Sequence, residues 1–237
     1  MAQLYKHLLL TRFNVQVEGW PPLKAEWHTH RARIFESVCL PSIVGQTTKM
    51  FSWLVFFDKR YRTLNKSVIS ACEAVDGFIP IEIDFDFSFT AVRPIIRAYL
   101  SGAEYWITTR VDNDDALIST YVEILQSNFE PSARLALNFP EGFVLSTREA
   151  RVSVQPCNPF VSLVESSRKG QSVWMCDHLD ISKYAPVKQI DSGPSWVQFI
   201  HSKNKCNQLQ GHPVKPEAVE ERFPHLLDRL ARIRTME

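Results

Sequence analysis

Nearly continuous apolar runs recur through the first half of the chain. They cover residues 5–13, 51–57, 78–83 and 105–111. Continuous apolar character, rather than strict alternation, is typical of strands that are covered on both faces, as in a parallel sheet. Between these runs the apolar positions recur at helical spacing, in residues 31–44, 64–75 and 92–101. The alternation of strands with helices predicts an α/β fold with a Rossmann-like, mostly parallel sheet and right-handed connections.

The second half of the chain has a less regular pattern. Residues 116–126 are expected to form a helix. Runs at 134–139 and 143–147 flank Pro140–Gly142, which predicts a tight reversal between two antiparallel strands. Further short strands are predicted at residues 151–154, 173–175, 187–190 and 196–200. A closing helix is predicted over residues 217–234, with its apolar residues on one stripe. We therefore expect a smaller mixed or antiparallel portion after the parallel half.

The composition is typical of one soluble domain and does not indicate a particular macromolecular partner. With 237 residues, of which 45% are hydrophobic, the chain can bury a sizeable core, and a single domain over residues 1–237 is expected. The net charge of +1 gives no field that would attract nucleic acid. The five cysteines form no CxxC pair, which favours a reducing cytoplasm over a disulfide framework or a zinc site. No apolar run approaches the ~18 residues of a membrane span.

Polar residues follow each predicted strand of the parallel half. They are Arg12 and Asn14 after the first strand, Asp58 after the second, Asp84 and Asp86 after the third, and Arg110, Asp112, Asn113, Asp114 and Asp115 after the fourth. Ligands of open α/β sheets bind outside the carboxyl ends of the strands, so these residues are expected to line one crevice. Glycine-rich phosphate-binding motifs are missing, so phosphate would be held by a metal ion and by arginine.

The acidic cluster from Asp112 to Asp115 indicates a cation site. Carboxylates at Asp112 and Asp114 can converge on a hard divalent cation, Mn²⁺ or Mg²⁺, which commonly also binds a substrate diphosphate. The alternative is that the cluster caps the following helix, a role for which one aspartate would suffice. An EF-hand calcium loop is disfavoured, because Ala116 and Leu117 stand where that loop needs an oxygen ligand and a glycine.

Four segments carry a family resemblance. They are TRFN at 11–14, RARIFESVCLPSIVGQ at 31–46, FSWLVFFD at 51–58 and TTRVDNDDAL at 108–117. Together they resemble the rhamnosyltransferases, which are bacterial glycosyltransferases of the GT-A fold, strongly over the first half of the chain and loosely beyond it. The resemblance implies a nucleotide-diphospho-sugar transferase fold. In that fold residues 1–127 would form the half that binds the nucleotide sugar, and residues 128–237 would form the acceptor side with the C-terminal helix.

The resemblance also implies roles for single residues. Asp112 is expected near the ribose or the metal ion, with Asp114 as a metal ligand and Asp115 assisting either. By the resemblance, Arg12 is expected at the base or diphosphate and Asp58 at the nucleoside. Asn14 and Arg110, which also follow the strands, complete with Asp112 the set expected to bind the nucleotide-sugar donor. A C-terminal histidine often contacts the metal in this fold, and His201 is matched to it. The alternative for His201 is an ordinary surface residue.

Sugar transfer requires that a nucleoside diphosphate leaves the anomeric carbon while an acceptor hydroxyl attacks. Mn²⁺ or Mg²⁺ would stabilise the leaving diphosphate, and Arg12 or Arg110 could share its charge. An inverting reaction needs a general base, for which Asp177 is preferred over His178 and Asp180; a turn or helix cap is the alternative role of each. The expected donor is dTDP-rhamnose. The expected acceptor is a saccharide or a glycolipid, and the latter would bring this cytoplasmic protein to the inner face of the membrane.

Two other classes of function share parts of the pattern. A sugar nucleotidyltransferase also uses paired aspartates and a metal ion, but it would carry a glycine-rich phosphate loop near the N-terminus. A non-catalytic carbohydrate-binding protein with a degenerate GT-A fold is disfavoured by the intact Asp112 and Asp114. A zinc site at His28 and His30 is also disfavoured, because the flanking residues predict a loop that enters a helix.

Overall fold

The computed structural model describes residues 3–201, 203–204 and 208–234. In these residues the strands are β1 (Gln3–Arg12), β2 (Ser52–Asp58), β3 (Phe78–Ile83), β4 (Ala103–Arg110), β5 (Ala116–Leu117), β6 (Arg134–Asn138), β7 (Glu141–Leu145), β8 (Ala150–Val154), β9 (Ser162–Ser166), β10 (Val187–Gln189), β11 (Trp196–Phe199) and β12 (His212–Val214). The helices are α1 (Ala25–Ile34), α2 (Leu40–Val44), α3 (Arg62–Cys72), α4 (Phe89–Leu100), α5 (Tyr121–Ser127), α6 (Pro216–Arg222) and α7 (Leu226–Arg234). A π-helical turn (Phe35–Cys39) joins α1 to α2, and 3₁₀ turns occupy Lys59–Tyr61, Val173–Met175 and His178–Lys183.

A seven-stranded sheet forms the centre of the protein, in the order β10-β6-β9-β4-β1-β2-β3. Strands β4, β1, β2 and β3 run parallel to one another, whereas β9 runs antiparallel to both of its neighbours. A second sheet has the order β12-β8-β7-β11-β5. The central, mostly parallel sheet and the smaller mixed sheet confirm the α/β fold class expected from the sequence.

Both faces of the central sheet are covered, which explains the continuous apolar runs. Successive side chains of a strand point to opposite faces. Leu9 and Val55 therefore belong to one apolar core cluster. Leu10 and Phe56, their neighbours in sequence, belong to a second cluster on the other face. A strand that is buried on both faces cannot alternate between apolar and polar residues.

The predicted hairpin around Pro140–Gly142 is wrong. Strand β6 pairs with β9 and β10 in the central sheet, whereas β7 pairs with β8 and β11 in the second sheet. The short segment between them therefore carries the chain from one sheet to the other. Gly142 lies against the ring of Trp196 and leaves no room for a Cβ. The glycine allows a close approach of backbone and ring rather than a tight turn.

Other predicted boundaries also differ from the structure. Residues 173–175 form a 3₁₀ turn rather than a strand, and β9 was not predicted. Residues 116–120 precede α5, because Ala116–Leu117 pairs with β11. The closing helix is interrupted between α6 and α7, where Pro224 lacks the N–H of a continuing helix and His225 has a φ of 65°.

Helix α1 begins at Ala25, so His28 and His30 lie on a helix and not in a loop.

In the described part of the chain, no helix has both the length and the apolar character needed to span a bilayer. Cys206 lies outside the described residues, and the other four cysteines are free thiols.

Candidate active site

The acidic cluster follows β4, which lies beside β1 in the centre of the sheet. Because the two strands are parallel, their carboxyl ends meet at one edge, and Arg12 Nη2 lies 3.4 Å from Asp112 Oδ1. Both side chains keep solvent access, with 25% of Arg12 and 33% of Asp112 exposed. The cluster does not cap a helix, since β5 follows it directly and α5 begins only at Tyr121. Two residues that the sequence indicated thus lie together at this edge, and both are partly open to solvent.

Arg31 of α1 joins the acidic loop from the opposite side. Its buried guanidinium forms an ion pair with the carboxylate of Asp114 and donates a 2.9 Å hydrogen bond to Asn113 Oδ1. Asn113 in turn donates to the carbonyl oxygen of Phe13, at the end of β1. This role of Arg31 is not indicated by the sequence. Because 82 positions separate Arg31 from Asn113, no local pattern indicates the contact.

Asp114 is buried and accepts several hydrogen bonds through one oxygen. Asn204 Nδ2 lies 2.7 Å and His201 Nε2 lies 3.2 Å from Asp114 Oδ2, which also faces Arg31. Burial raises the pKa of Asp114, but the charges of Arg31 and His201 and the hydrogen bonds from both outweigh it and hold the pKa below its ordinary value. Asp114 is therefore ionised in the folded protein.

His201 lies beside Asp114, as the family resemblance implied. Its Nδ1 accepts the backbone N–H of Lys203 at 3.2 Å, and its Nε2 lies 3.2 Å from Asp114 Oδ2. His30 Nε2 lies 3.3 Å from the same Nδ1. Only 3% of the His201 side chain is exposed, so it is not an ordinary surface residue. Its expected contact with a metal ion stays a prediction.

Asp115 has a different environment from its neighbours. Its Oδ1 accepts the backbone N–H of Phe199 at 3.0 Å, which ties the acidic loop to the end of β11. Burial raises the pKa of Asp115 well above its ordinary value, and the charges of Asp114 and Asp112 add to this effect. In this arrangement Asp115 connects the two sheets, and its expected assistance to the metal ion stays a prediction.

Asn14 and Asp58 link the ends of β1 and β2. Asn14 accepts the backbone N–H of Asp58 at 2.9 Å and donates to Asn65 at 2.7 Å. The buried carboxylate of Asp58 is paired with Arg60 at 2.6 Å. Both residues therefore lie at the strand ends where they were expected, held by protein partners. Their expected contact with the nucleoside stays a prediction.

Arg110 is the last residue of β4 and is buried. Its Nε and Nη1 atoms have no hydrogen-bond partner among the described residues. Burial lowers the pKa of Arg110, while the charge of Asp112 raises it and that of Arg12 lowers it. Arg110 pairs with Leu10 of β1, two residues before Arg12, so the two arginines lie at the same edge of the sheet.

The three candidate bases lie at the start of the 3₁₀ turn that begins at His178. Asp177 caps this turn by accepting the backbone N–H of Leu179 at 3.0 Å, and its Oδ1 lies 3.1 Å from His178 Nδ1. Asp180 is paired with Lys183 at 2.6 Å on the surface. Burial lowers the pKa of His178, and the charges of Arg110 and Arg12 lower the pKa of both Asp177 and His178.

The oxygen donors of the crevice fit a partly hydrated divalent cation. Mg²⁺ is usually held by one or two carboxylates, together with substrate phosphates and waters. Asp112 and Asp114 offer two such carboxylates. In the residues that the structure describes, no three His, Cys, Asp or Glu side chains are grouped around a metal position. That Asp112 and Asp114 hold a divalent cation stays a prediction.

The sequence of the chain matches the profile of a glycosyltransferase family. The sequence profile of the family described as "Putative rhamnosyl transferase" matches residues 23–213, so the chain belongs to that family. This confirms the resemblance that the sequence motifs carried. No curated protein matches the sequence.

Several solved structures are similar to the protein at low sequence identity. Residues 1–349 of TarS from S. aureus share 9% identity at a TM-score of 0.49, over 96% of this chain and 65% of that chain. HddC from Yersinia pseudotuberculosis shares 8% identity at a TM-score of 0.43, over 82% of this chain and 93% of that chain. Mouse xyloside xylosyltransferase 1 shares 11% identity at a TM-score of 0.43, over 79% and 85% of the two chains. Similarities this low say nothing about activity or substrate.

Proposed function

We propose that the protein is a metal-dependent, inverting glycosyltransferase that transfers rhamnose from dTDP-rhamnose to a hydroxyl group of a saccharide or glycolipid acceptor. Membership of the family supports the choice of sugar. The observation that carries the proposal is Arg110, a buried arginine at the carboxyl edge of the sheet whose Nε and Nη1 atoms have no hydrogen-bond partner among the described residues. With a glycolipid acceptor, the reaction would take place at the cytoplasmic face of the membrane.

Unpaired donors on a buried guanidinium are unfavourable, because the desolvated charge has lost its hydrogen bonds to water. The oxygens of a diphosphate would supply the missing acceptors, and such charge-assisted bonds are about twice as strong as neutral ones. Arg12 lies at the same crevice and adds a second, partly exposed guanidinium. The two arginines together favour a dianionic group of the donor over an uncharged sugar.

In the proposal, Asp112 and Asp114 hold the Mg²⁺ or Mn²⁺ ion, and His201 contributes a further contact. The bound ion would supply Lewis-acid stabilisation of the negative charge that develops on the leaving diphosphate. Arg31 keeps the acidic loop in place through its contacts with Asn113 and Asp114. Arg110 and Arg12 bind the diphosphate oxygens and stabilise the same charge.

The proposed transfer is a single displacement. The oxygen of the acceptor hydroxyl attacks the anomeric carbon from the face opposite the diphosphate, and a new glycosidic bond forms. The bond between that carbon and the diphosphate oxygen breaks, and the nucleoside diphosphate leaves with the bonding electrons. The hydroxyl proton passes to a general base, for which Asp177, His178 and Asp180 are the candidates.

Nucleotide binding tests the proposal. We expect dTDP, compared with UDP and GDP, to raise the Tm of the protein in a manner that depends on Mg²⁺, because a ligand of the folded state stabilises it. Arg110→Met should weaken this binding about tenfold or more, since charge-assisted hydrogen bonds are lost. Arg148→Met, at an exposed arginine between β7 and β8, is the matched control. The proposal is wrong if none of the three nucleotides stabilises the wild-type protein with or without the ion.

A further inference from the structure

Buried polar contacts fix the segment of residues 172–178 beside the carboxyl end of β4. Ser172 has a φ of 77°, which is unfavourable for a residue with a side chain. The buried carboxylate of Glu165 holds it there by accepting the Ser172 N–H at 2.8 Å. The backbone N–H of Val173 is donated to Thr108 Oγ1 at 2.8 Å, close to the end of β4. These two contacts fix the position of residues 174–178 relative to β4.

Trp174 anchors the same segment by packing against Phe56 and Phe87. Its ring lies 5.1 Å from that of Phe87 and 5.3 Å from that of Phe56, as measured between ring centroids. The guanidinium carbon of Arg12 lies 5.6 Å from the centre of the Phe87 ring. One aromatic cluster therefore supports both the segment that leads to residue 178 and an arginine of the proposed donor site.

Asp177 and His178 form a contact pair at the end of this segment. The capping bond to Leu179 holds the Asp177 carboxylate in place, and its Oδ1 lies 3.1 Å from His178 Nδ1. The Nδ1 atom is buried and the contact is not well aligned as a hydrogen bond, which is common before a substrate binds. The His178 side chain is 21% exposed and that of Asp177 is 61% exposed. With Nδ1 turned inward, the opposite ring edge with Nε2 is the part that can meet a substrate.

We propose that His178 is the general base of the transfer reaction and that Asp177 is its positioning residue; this inference rests on the proposed function. Nε2 of His178 takes the proton of the acceptor hydroxyl while that oxygen bonds to the anomeric carbon and the diphosphate departs. The proton on Nδ1 stays between the ring and Asp177. The carboxylate selects the tautomer with a free Nε2 and stabilises the imidazolium that forms.

The charges around His178 are compatible with this role. Burial is the largest effect and lowers the pKa of His178, and the charge of Arg110 lowers it further. Asp177 and Asp112 raise the pKa, Arg12 lowers it, and the net pKa lies below the ordinary value. The ring is therefore neutral near pH 7 and can accept a proton. Asp177 is a weaker base, because its own pKa is held below the ordinary carboxylate value.

The test compares donor binding with donor breakdown. The release of dTDP from dTDP-rhamnose, with water as the acceptor and Mg²⁺ present, is measured alongside the Tm increase that dTDP causes. We expect His178→Ala to slow the release about 100-fold or more while the Tm increase stays unchanged. His212→Ala, at an exposed histidine of β12, is the control and should leave both quantities unchanged.

Asp177→Asn tests the positioning role by two readouts. Without the negative neighbour the imidazolium is less stable, so the pKa of the His178 ring, measured by NMR titration, should fall. The acid limb of the pH–rate profile should move to lower pH by the same amount, and the rate should fall less than in His178→Ala. A purely structural role of Asp177 would leave the His178 pKa where it is.

Two results overturn the inference. One is dTDP release in His178→Ala within about threefold of wild type, which would exclude His178 as the base; loss of release in Asp177→Asn would then make Asp177 the base. The other is a His178 pKa that does not change in Asp177→Asn. Both are distinct from failure of the proposed function, in which wild-type protein would bind no nucleoside diphosphate.

Discussion

The three aspartates of the acidic cluster look equivalent in sequence but have different surroundings. Asp112 is partly exposed beside Arg12, whereas Asp114 is buried in an ion pair with Arg31. Asp115 is buried and bonded to a backbone N–H. Since the surroundings of a carboxyl group set its pKa and its free lone pairs, the three residues cannot share one role. Asp112 is the carboxylate most open to a ligand.

The raised pKa of Asp115 predicts a pH-dependent cost in stability. The folded state keeps a proton on Asp115 that the unfolded state releases above about pH 4. Asp115 therefore lowers the free energy of unfolding as the pH rises from about 4 towards its raised pKa in the folded state. Asp115→Asn keeps an acceptor for the Phe199 N–H and cannot ionise. We expect it to raise stability at pH 7, by about 1.4 kcal/mol for each pKa unit of the shift.

Urea unfolding of wild type and Asp115→Asn at a series of pH values measures this effect. The two curves of unfolding free energy should approach each other as the pH falls through about 4, because Asp115 then becomes protonated in the unfolded state as well. A variant less stable than wild type at pH 7 would show instead that the protein needs an ionised Asp115.

At the scale of elements, one buried arginine connects helix α1 to the loop after β4. The guanidinium of Arg31 contacts Asp114 and Asn113, and its carbon lies 5.1 Å from the centre of the Trp27 ring. The helix follows β1 in the chain, and the loop follows β4, which is the neighbour of β1 in the sheet. The ion pair thus fixes the position of the acidic loop relative to the first helix.

Arg31→Met should be strongly destabilising, because it leaves the Asp114 carboxylate buried without its cationic partner. Loss of one member of a buried ion pair typically lowers the free energy of unfolding by about 3–5 kcal/mol. Arg33→Met is the matched control in the same helix, since Arg33 is exposed, and it should have little effect.

Denaturant unfolding of the two single variants and of Arg31→Met combined with Asp114→Asn tests this expectation. The double variant should recover part of the lost stability, because the unpaired charge is removed. Equal stability of Arg31→Met and Arg33→Met would contradict a structural role for the ion pair.

At the scale of the whole molecule, the crevice combines groups from distant parts of the chain. The net charge of +1 gives no hint of this local arrangement. Arg12 and Arg110 end two central strands and Asp112 lies in the loop after β4, while His201 and Asn204 follow β11 of the second sheet. The site exists only when both sheets are assembled.

This assembly makes Asp112 a better probe of the metal ion than Asp114. Removal of Asp114 would leave Arg31 buried and unpaired, so a loss of activity would include a loss of stability. Asp112→Asn should change the Tm of the free protein by no more than about 2 °C, because the residue is partly exposed. We expect it to abolish the Mg²⁺-dependent part of the stabilisation by dTDP.

Thermal shifts with dTDP alone and with dTDP plus Mg²⁺ measure this effect. Asp228→Asn, at an exposed position of α7, is the control and should keep the full response to the ion. A full response in Asp112→Asn would remove Asp112 from the proposed metal site.

The sequence by itself determined the α/β class, the order of the four parallel strands in the chain, and the group of polar residues at their ends. A continuously apolar strand must be buried on both faces of the sheet, and the helices predicted between the strands can bury both faces. Local sequence patterns were therefore sufficient to predict the fold class. The same reasoning located Arg12, Arg110 and the acidic cluster correctly at one edge of the sheet.

Only the tertiary structure decided which strands pair across Pro140–Gly142, that Arg31 holds Asp114, and that His178 contacts Asp177 beside Arg110. The apolar pattern of a segment reports how much of it is buried, but not against which other segment it packs. Ionisation and hydrogen bonding at the site depend on groups that lie far apart in sequence. Packing alone brings those groups together, and so their roles become visible only in the folded chain.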